Sequence, residues 1–201
     1  FEVVEFSGIE PNPRVSSVNA AAKLAREQKV DFIVAVGGGS VIDASKAIAA
    51  AVKYEADAWD LVKDGSLIKD ALPLFSVLTL AATGSEYDAP GVISNMQTNE
   101  KQAISSPLLF PKASFCDPSV SVSVPAWHTA AGAADIMSHT FEQYLVSEGN
   151  DVSDGFCETI LKTVIKNAPI CIKDPTNLEA RSAMMLASSF GCCGLLAIGN
   201  M

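Results

Sequence analysis

Residues 34–43 read Val34-Ala35-Val36-Gly37-Gly38-Gly39-Ser40-Val41-Ile42-Asp43. The continuous apolar run from Phe32 to Val36 predicts a parallel β-strand that is covered on both faces. A helical pattern follows from Val41 to about Tyr54. Glycines at such a junction let the backbone approach a ligand closely, and the helix start offers free N–H groups and a positive dipole end. The stretch therefore predicts an α/β domain whose glycine bend suits a phosphate.

The bend also has an interpretation without a ligand. Its pattern is neither G-x-G-x-x-G nor G-x-x-x-x-G-K-[ST], so a triple glycine alone is a weak sign of nucleotide binding. A tight strand-to-helix turn accounts for the glycines equally well. Ser40 and Asp43 have the spacing of a capping box, with Asp in place of the usual Glu or Gln. These residues alone leave both interpretations open.

Strand and helix patterns alternate on both sides of the bend, as in a doubly wound α/β domain. Ser16 or Ser17 is predicted to cap a helix that runs to about Lys29. Further strands are predicted at Val3–Phe6, Leu74–Leu80, Val92–Met96 and Ala113–Cys116.

The pattern changes after Asp117-Pro118, and only helices are predicted from Pro125 onward. Pro169 and Pro175 are expected to separate these helices. Their predicted bounds are Ala126–Val146, Asp154–Asn167 and Asn177–Leu196. We therefore predict an α/β domain over residues 1–122 and a helical domain over residues 123–201.

Composition narrows the classes of function. The chain has 201 residues, of which 49% are hydrophobic, and a net charge of −9. The acidic balance argues against nucleic acid and anionic membrane surfaces as partners, and the longest apolar runs fall far short of a membrane span of about 20 residues. Five cysteines without C-x-x-C spacing argue against a disulfide framework or a cysteine zinc site. We expect a cytoplasmic protein with reduced, largely buried thiols.

Two further groups of residues carry chemistry. Thr79, Thr83 and Ser85 lie at the carboxyl end of the second buried strand, where open α/β sheets bind ligands, although a polar loop explains them too. Asp135 and His139 lie four residues apart, so they share one helix face. They could ligate a divalent metal, or simply form a hydrogen-bonded pair, because a metal site usually needs at least three ligands.

With these residues in view, the chain resembles the iron-containing alcohol dehydrogenase family, and in particular its butanol dehydrogenase and NADPH-dependent aldehyde reductase branch. The likeness covers almost the whole chain, in order and at family spacing, and it favours the ligand interpretation of all three groups. The matching stretches are Gly8–Pro13, Ala35–Asp43, Leu78–Glu86, Ser106–Leu109, Asp117-Pro118, Gly132–His139, Pro175 and Glu179–Ser182.

The resemblance implies a dehydroquinate synthase-like architecture, with one divalent metal ion, iron or zinc, between a nucleotide domain and a helical domain. It implies NADP or NAD as the cofactor. The cofactor-binding residues that it implies are Asn12, Gly37, Gly38, Gly39, Ser40, Asp43, Thr79, Thr83, Ser85, Val92 and Lys101. Among them, Gly37–Ser40 match the pyrophosphate loop, Asp43 lines that site, Asn12 lies near the adenosine half and Val92 beside the nicotinamide.

The implied catalytic residues are Lys101, Asp135 and His139. Asp135 and His139 match the first two metal ligands of the family, and Lys101 matches a lysine that reaches the cofactor ribose or the active site. From composition alone Lys101 is simply an exposed lysine. The implied reaction is hydride transfer between NAD(P)H, with NADP(H) preferred by the branch, and a short-chain aldehyde or primary alcohol.

Two departures from the family pattern matter. The family takes its other two metal ligands from histidines farther along, but no histidine follows His139. The family also has a stretch before the position of Phe1 that helps to discriminate NAD from NADP. We therefore expect a fragment of a longer protein, with an incomplete four-ligand site; a homodimer is compatible with this interpretation.

Three alternatives stay open. A polyol (glycerol-type) dehydrogenase and a dehydroquinate synthase-like lyase share the architecture, but Pro11-Asn12-Pro13 and Met137-Ser138 favour the alcohol dehydrogenase branch. A non-catalytic dinucleotide-binding fragment is the third alternative, because the later histidines are absent.

Overall fold

The computed structural model describes residues 2–146 and 149–192. They form two compact units. The first comprises the residues up to Val77 together with Ala89–Ser114, and the second comprises Leu78–Asp88 together with the described residues from Phe115 onward. The predicted fold class, an α/β part followed by a helical part, is confirmed. The segment Leu78–Asp88 belongs to the helical unit, although it precedes the predicted domain boundary at residue 122.

The first unit carries the sheet and the amino-terminal helices. Strands β1, β2 and β5 form a three-stranded sheet in the order β1-β2-β5, and β3 and β4 form a separate antiparallel pair with Gly91 opposite Ile104. The elements are α1 (Val15–Glu27), β1 (Ile33–Gly37), α2 (Gly39–Ala51), α3 (Ala58–Lys63), β2 (Leu74–Leu78), β3 (Gly91–Asn95), β4 (Glu100–Ile104) and β5 (Ala113–Phe115).

The core of this unit lies around α2, which is buried along nearly its whole length. Its alanines leave room for close packing of the neighbouring elements. Helix α1 buries the stripe Val18, Ala21, Ala22 and Ala25, whose spacing is that of one helix face. Ile93 of β3 and Leu61 of α3 complete the same cluster.

The second unit is built on three helices, α4 (Ala126–Tyr144), α5 (Asp151–Lys173) and α6 (Leu178–Cys192). Their shared core contains Ile136, Cys157, Val164 and Met184. Asn150 caps α5 by accepting from the N–H groups of Val152 and Ser153 at 3.0 and 3.1 Å. This cap begins α5 three residues earlier than the sequence pattern predicts.

Several predicted elements differ from the observed ones. Val3–Phe6 is not a strand: Val3 is 85% exposed, and the structure assigns no strand to the described residues before α1. Helix α5 continues through Pro169 instead of ending there, because packing on α4 and α6 outweighs the lost hydrogen bond. The N-cap residue of α1 is Arg14, whose side chain makes no capping hydrogen bond. Ser16 and Ser17, the predicted caps, lie inside the helix.

Strand β1 is covered on one face only. Ala35 is buried, whereas Val34 and Val36 are 49% and 61% exposed, so the prediction of cover on both faces is wrong for the described residues. Among the strands that the structure describes, β1 also lies at the edge of its sheet. The sequence cannot show that one face of β1 is exposed, because an apolar run predicts a buried strand without indicating which elements cover its two faces.

The prediction that the cysteine side chains are largely buried agrees with the structure only in part. Cys157 and Cys171 are free and buried, Cys192 is half-buried, and Cys116 is free and exposed. Cys193 and the predicted end of the last helix at Leu196 lie outside the described residues. Within the described ranges, no helix combines the length and the apolar character that a membrane span needs.

Candidate functional site

The glycine bend is a single residue long. Strand β1 ends at Gly37 and α2 begins at Gly39, so Gly38 is the N-cap of the helix. The carbonyl of Gly38 accepts from the N–H groups of Val41 and Ile42 at 3.0 and 3.2 Å. A Cβ at Gly37 would lie 2.6 Å from Cβ of Val41, so the turn requires glycine for space. This tight bend brings the strand end directly onto the helix start.

The N-cap residue, Gly38, makes no side-chain capping hydrogen bond, and the first turn of α2 contains no acidic residue. The N–H groups at a helix start point outward along the axis, where they favour an anion. Ser40 is the second helical residue and not a cap, so the capping-box interpretation of Ser40 and Asp43 is wrong. The electrostatics of the bend therefore suit a phosphate.

The side chain of Asp43 bonds to the start of β3 and does not cap α2. Its Oδ2 accepts from the backbone N–H of Val92 at 2.9 Å, and its side chain is only half-buried. The structure thus brings together two of the predicted cofactor residues. Asp43 contacts the protein backbone at the start of β3, one helical turn beyond the bend.

Lys101 and Asn12 are also brought together. Nζ of Lys101 donates to Oδ1 of Asn12 at 2.8 Å, and both residues are exposed. Lys101 lies on β4 opposite Ser94, whose N–H donates to the carbonyl of Pro13 at 2.8 Å. Asn12 has a φ of 56°, a left-handed conformation that asparagine tolerates better than most residues. The loop at Asn12 and Pro13 is therefore hydrogen-bonded to both strands of the β3–β4 pair.

The loop that carries Thr79, Thr83 and Ser85 begins where β2 ends at Leu78. Thr79 and Thr83 are half-buried, and the Thr83 hydroxyl accepts from the N–H of Ser85 at 3.2 Å. Gly84 has a φ of 69°, and a Cβ there would lie 2.9 Å from the carbonyl oxygen of Ser188. The loop therefore packs directly against α6. Ser85 is 2% exposed, which places it inside the loop and leaves the two threonines more open.

Sequence reasoning missed the role of Glu86, which is 2% exposed. The hydroxyl of Ser189 on α6 donates to its Oε1 at 2.6 Å, across 103 residues of chain. A buried carboxylate needs such partners because its desolvation is costly. The available signal was that Glu86 is the sole charged residue of the apolar and hydroxyl stretch Thr79–Glu86.

Glu86 also influences a neighbouring thiol. The pKa of the Cys116 thiol is raised above its ordinary value. Desolvation of the thiol is the largest cause and the negative charge of Glu86 is the second, whereas a hydrogen bond with Ser189 opposes them. We expect Glu86→Gln to speed alkylation of Cys116 by iodoacetamide at pH 8 by about two- to fivefold, because the thiolate is the nucleophile. Mass spectrometry would follow the Cys116 peptide, with Glu142→Gln, an exposed carboxylate on α4, as the control. An unchanged rate in Glu86→Gln would contradict the electrostatic coupling.

Asp135 and His139 lie one turn apart on α4, as predicted. Oδ1 of Asp135 is 3.7 Å from Nε2 of His139, and the two side chains are 41% and 27% exposed. Nδ1 of His139 is 3.7 Å from Oε2 of Glu142. Nitrogen and carboxylate oxygen donors of this kind suit Zn²⁺ or Fe²⁺. Within the part of the chain that is described, no group of three such side chains is arranged for a metal ion.

Helix α4 also contacts the loop that carries Thr79 and Thr83. A Cβ at Gly132 would overlap the carbonyl oxygen of Ala81, so the helix backbone lies directly on the loop. Gly132 precedes Asp135 by three residues and therefore lies on nearly the same face. The structure brings the Asp135–His139 pair and the loop of Thr79 and Thr83 into one packed unit.

Comparison with known proteins decides the family. Residues 1–118 match the family model described as iron-containing alcohol dehydrogenase, and residues 129–201 match the model of the carboxyl-terminal part of the Fe-containing alcohol dehydrogenase family. The chain belongs to the iron-containing alcohol dehydrogenase family. This confirms the resemblance inferred from the sequence.

Individual members of the iron-containing alcohol dehydrogenase family are similar over nearly the whole chain. NADH-dependent butanol dehydrogenase A of Clostridium acetobutylicum is 51% identical over 98% of this chain and 51% of its own length. The NADPH-dependent aldehyde reductase YqhD of Escherichia coli is 43% identical over 98% of this chain and 52% of its own length. The crystal structure of NADH-dependent butanol dehydrogenase A from Thermotoga maritima matches with a TM-score of 0.95 and 39% identity, over 98% of this chain and 50% of that one. The chain thus spans about half the length of the relatives that it matches.

Proposed function

We propose that this chain supplies the cofactor-binding residues and two metal ligands of an NAD(P)H-dependent alcohol dehydrogenase or aldehyde reductase. The observation that carries the proposal is the contact of α4, which bears Asp135 and His139, with the loop that bears Thr79 and Thr83. A donor pair beside a hydroxyl-rich loop is an arrangement that metal-assisted hydride transfer can use. The names of the similar enzymes support a short-chain aldehyde or primary alcohol as the substrate.

The cofactor residues have distinct proposed roles. The N–H groups at the start of α2, at Gly39 and Ser40, would bind the diphosphate, because the N-cap residue Gly38 provides no side-chain cap for them. The hydroxyl groups of Thr79 and Thr83 would donate to ribose or phosphate oxygens. Lys101 would bind ribose oxygens, with Asn12 holding its ammonium in place. NADP(H) is the preference that the sequence resemblance favours, and the named relatives include both NADH- and NADPH-dependent enzymes.

Asp135 and His139 fit a divalent metal in the chemistry of their donor atoms. A metal held there would supply Lewis-acid polarisation of a substrate carbonyl, and the nicotinamide would supply the hydride. Iron and zinc both suit the pair, and zinc binds more tightly to equal ligands. Glu142, beside Nδ1 of His139, would orient the imidazole so that Nε2 faces Asp135.

The test of this proposal uses a full-length enzyme that carries this sequence. Butanal-dependent oxidation of NADH and of NADPH would be measured before and after metal removal by chelation, with zinc or iron added back. We expect activity to be lost on removal and restored by the metal. An equal rate in the metal-free enzyme would contradict the Lewis-acid role, and a panel including glycerol and 1,3-propanediol would reveal a polyol dehydrogenase.

A second candidate function is dinucleotide binding without catalysis by the 201-residue chain itself. It is favoured by the donor count, because the described residues offer two ligands at Asp135 and His139 but no third. We expect this chain to bind NADH or NADPH, yet to show no tight stoichiometric binding of Zn²⁺ or Fe²⁺ in calorimetric titration. Tight one-to-one binding of a metal that is lost in His139→Ala would refute the incomplete site. A homodimer stays a prediction, which sedimentation would check.

A further inference from the structure

Helix α2 contacts the start of β3 through two side chains. Asp43 and Lys46 are three residues apart and lie on neighbouring positions of one helix face. Oδ2 of Asp43 accepts from the N–H of Val92 at 2.9 Å, and Nζ of Lys46 donates to the carbonyl oxygen of Pro90 at 2.7 Å. The helix therefore holds the backbone on both sides of Gly91, by one donor and one acceptor.

Gly91 lies directly on the backbone of α2. A Cβ at this position would be 3.1 Å from Cα of Asp43 and 3.2 Å from its carbonyl oxygen. That spacing is tighter than ordinary van der Waals contact, so a larger residue would push the strand away from the helix. Gly91 thus permits the short distance that the two hydrogen bonds need.

Lys46 is fully buried, with 0% of its surface exposed. A buried ammonium is costly unless its hydrogen bonds are satisfied, and a methionine of similar volume could fill the same space. Burial of this charge therefore adds little to stability by itself. What it contributes is a fixed geometry, because the ammonium selects one position for the carbonyl of Pro90.

We propose that Asp43 and Lys46 are positioning residues of the cofactor site, which act through the Pro90–Val92 backbone and do not contact the dinucleotide. The inference rests on the proposed function, in which the start of α2 binds the diphosphate and Lys101, on the strand paired with β3, binds ribose oxygens. Both elements are then fixed to one helix: its first turn holds the phosphates and its second turn sets the position of β3. In this proposal Asp43 supports the backbone of β3, because its Oδ2 accepts from the N–H of Val92.

The test compares four variants of the chain. Asp43→Ala removes the acceptor, Asp43→Asn keeps an acceptor oxygen but removes the charge, and Lys46→Met removes the ammonium at similar volume. Asp57→Ala is the matched control, because Asp57 accepts from the N–H of Trp59 at 2.8 Å in the same unit, at the start of α3. Hydrogen exchange of the peptide 89–95 would be measured without cofactor, and NADH affinity by nicotinamide fluorescence.

We expect Asp43→Ala and Lys46→Met to speed exchange at the start of β3 and to weaken NADH binding, each about tenfold. Asp43→Asn should restore both values to near wild type, and Asp57→Ala should change neither. If Asp43→Asn binds NADH as weakly as Asp43→Ala, the carboxylate charge itself acts and the proposal is overturned. Unchanged exchange in Asp43→Ala overturns it as well.

The two proposals fail in different ways. A wild-type chain that binds neither NADH nor NADPH contradicts the proposed function, whereas the exchange pattern still decides whether Asp43 and Lys46 hold Pro90–Val92. Normal NADH binding combined with fast exchange in Asp43→Ala leaves the proposed function intact and overturns the positioning role.

Discussion

His139→Ala in a full-length enzyme that carries this sequence is expected to lower kcat/KM for butanal by about a thousandfold. Loss of Lewis-acid polarisation is worth several kcal/mol, and each 1.4 kcal/mol or so corresponds to a tenfold change in rate. The bound metal, measured by plasma mass spectrometry, should fall in parallel. Asp135→Asn should have a similar but smaller effect, because an amide oxygen is a weaker ligand than a carboxylate.

The matched control for this variant is His128→Ala. His128 lies on the same helix, α4, but it is exposed, whereas His139 is 27% exposed beside Asp135. Its removal should leave both the activity and the metal content unchanged. A His139→Ala enzyme with wild-type activity and full metal content would refute the assignment of the pair.

Gly132→Ala is expected to destabilise the second unit by about 2–3 kcal/mol, although alanine is the better helix former. A Cβ at this position would overlap the carbonyl oxygen of Ala81, so either α4 or the loop must move. Because the loop carries Thr79 and Thr83, the same variant should raise the KM for the cofactor more than it lowers kcat. Denaturant unfolding and steady-state kinetics would measure the two effects.

Gly155→Ala separates the packing effect from helix propensity. Gly155 lies inside α5, and a Cβ there would meet nothing within 4 Å. We expect Gly155→Ala to stabilise the protein by about 0.5–1 kcal/mol, since it gains helix propensity without a clash. If Gly132→Ala behaves in the same way, the close contact of α4 with the loop at Ala81 is wrong.

The elements that the sequence predicts well are those with a strong local pattern. Helix α2 and the Asp135–His139 pair follow from residue spacing, and the glycine bend follows from the junction of two patterns. Strand β4 was missed because Glu100–Gln102 are polar, and a polar strand shows no apolar alternation. Its existence depends on pairing with β3, a contact that no short window of sequence contains.

The buried charges of the candidate site were equally hard to predict. Lys46 is a single charge in the apolar run Ala44–Ala51, and Glu86 is a single charge after a hydroxyl-rich stretch. Such isolated charges indicate that something must satisfy them, but not what. Their partners, Pro90 and Ser189, are 44 and 103 residues away, so only the fold reveals them.

The half-covered strand β1 has a practical consequence for work on the 201-residue chain. Among the described strands, β1 lies at the edge of its sheet, and Val34 and Val36 are exposed on it. An apolar edge strand of this kind can pair with a strand of a second molecule. Concentrated solutions of the isolated chain should therefore self-associate edge to edge. Val36→Lys should reduce this self-association during purification, because a charged side chain on an edge strand disfavours pairing with a second strand.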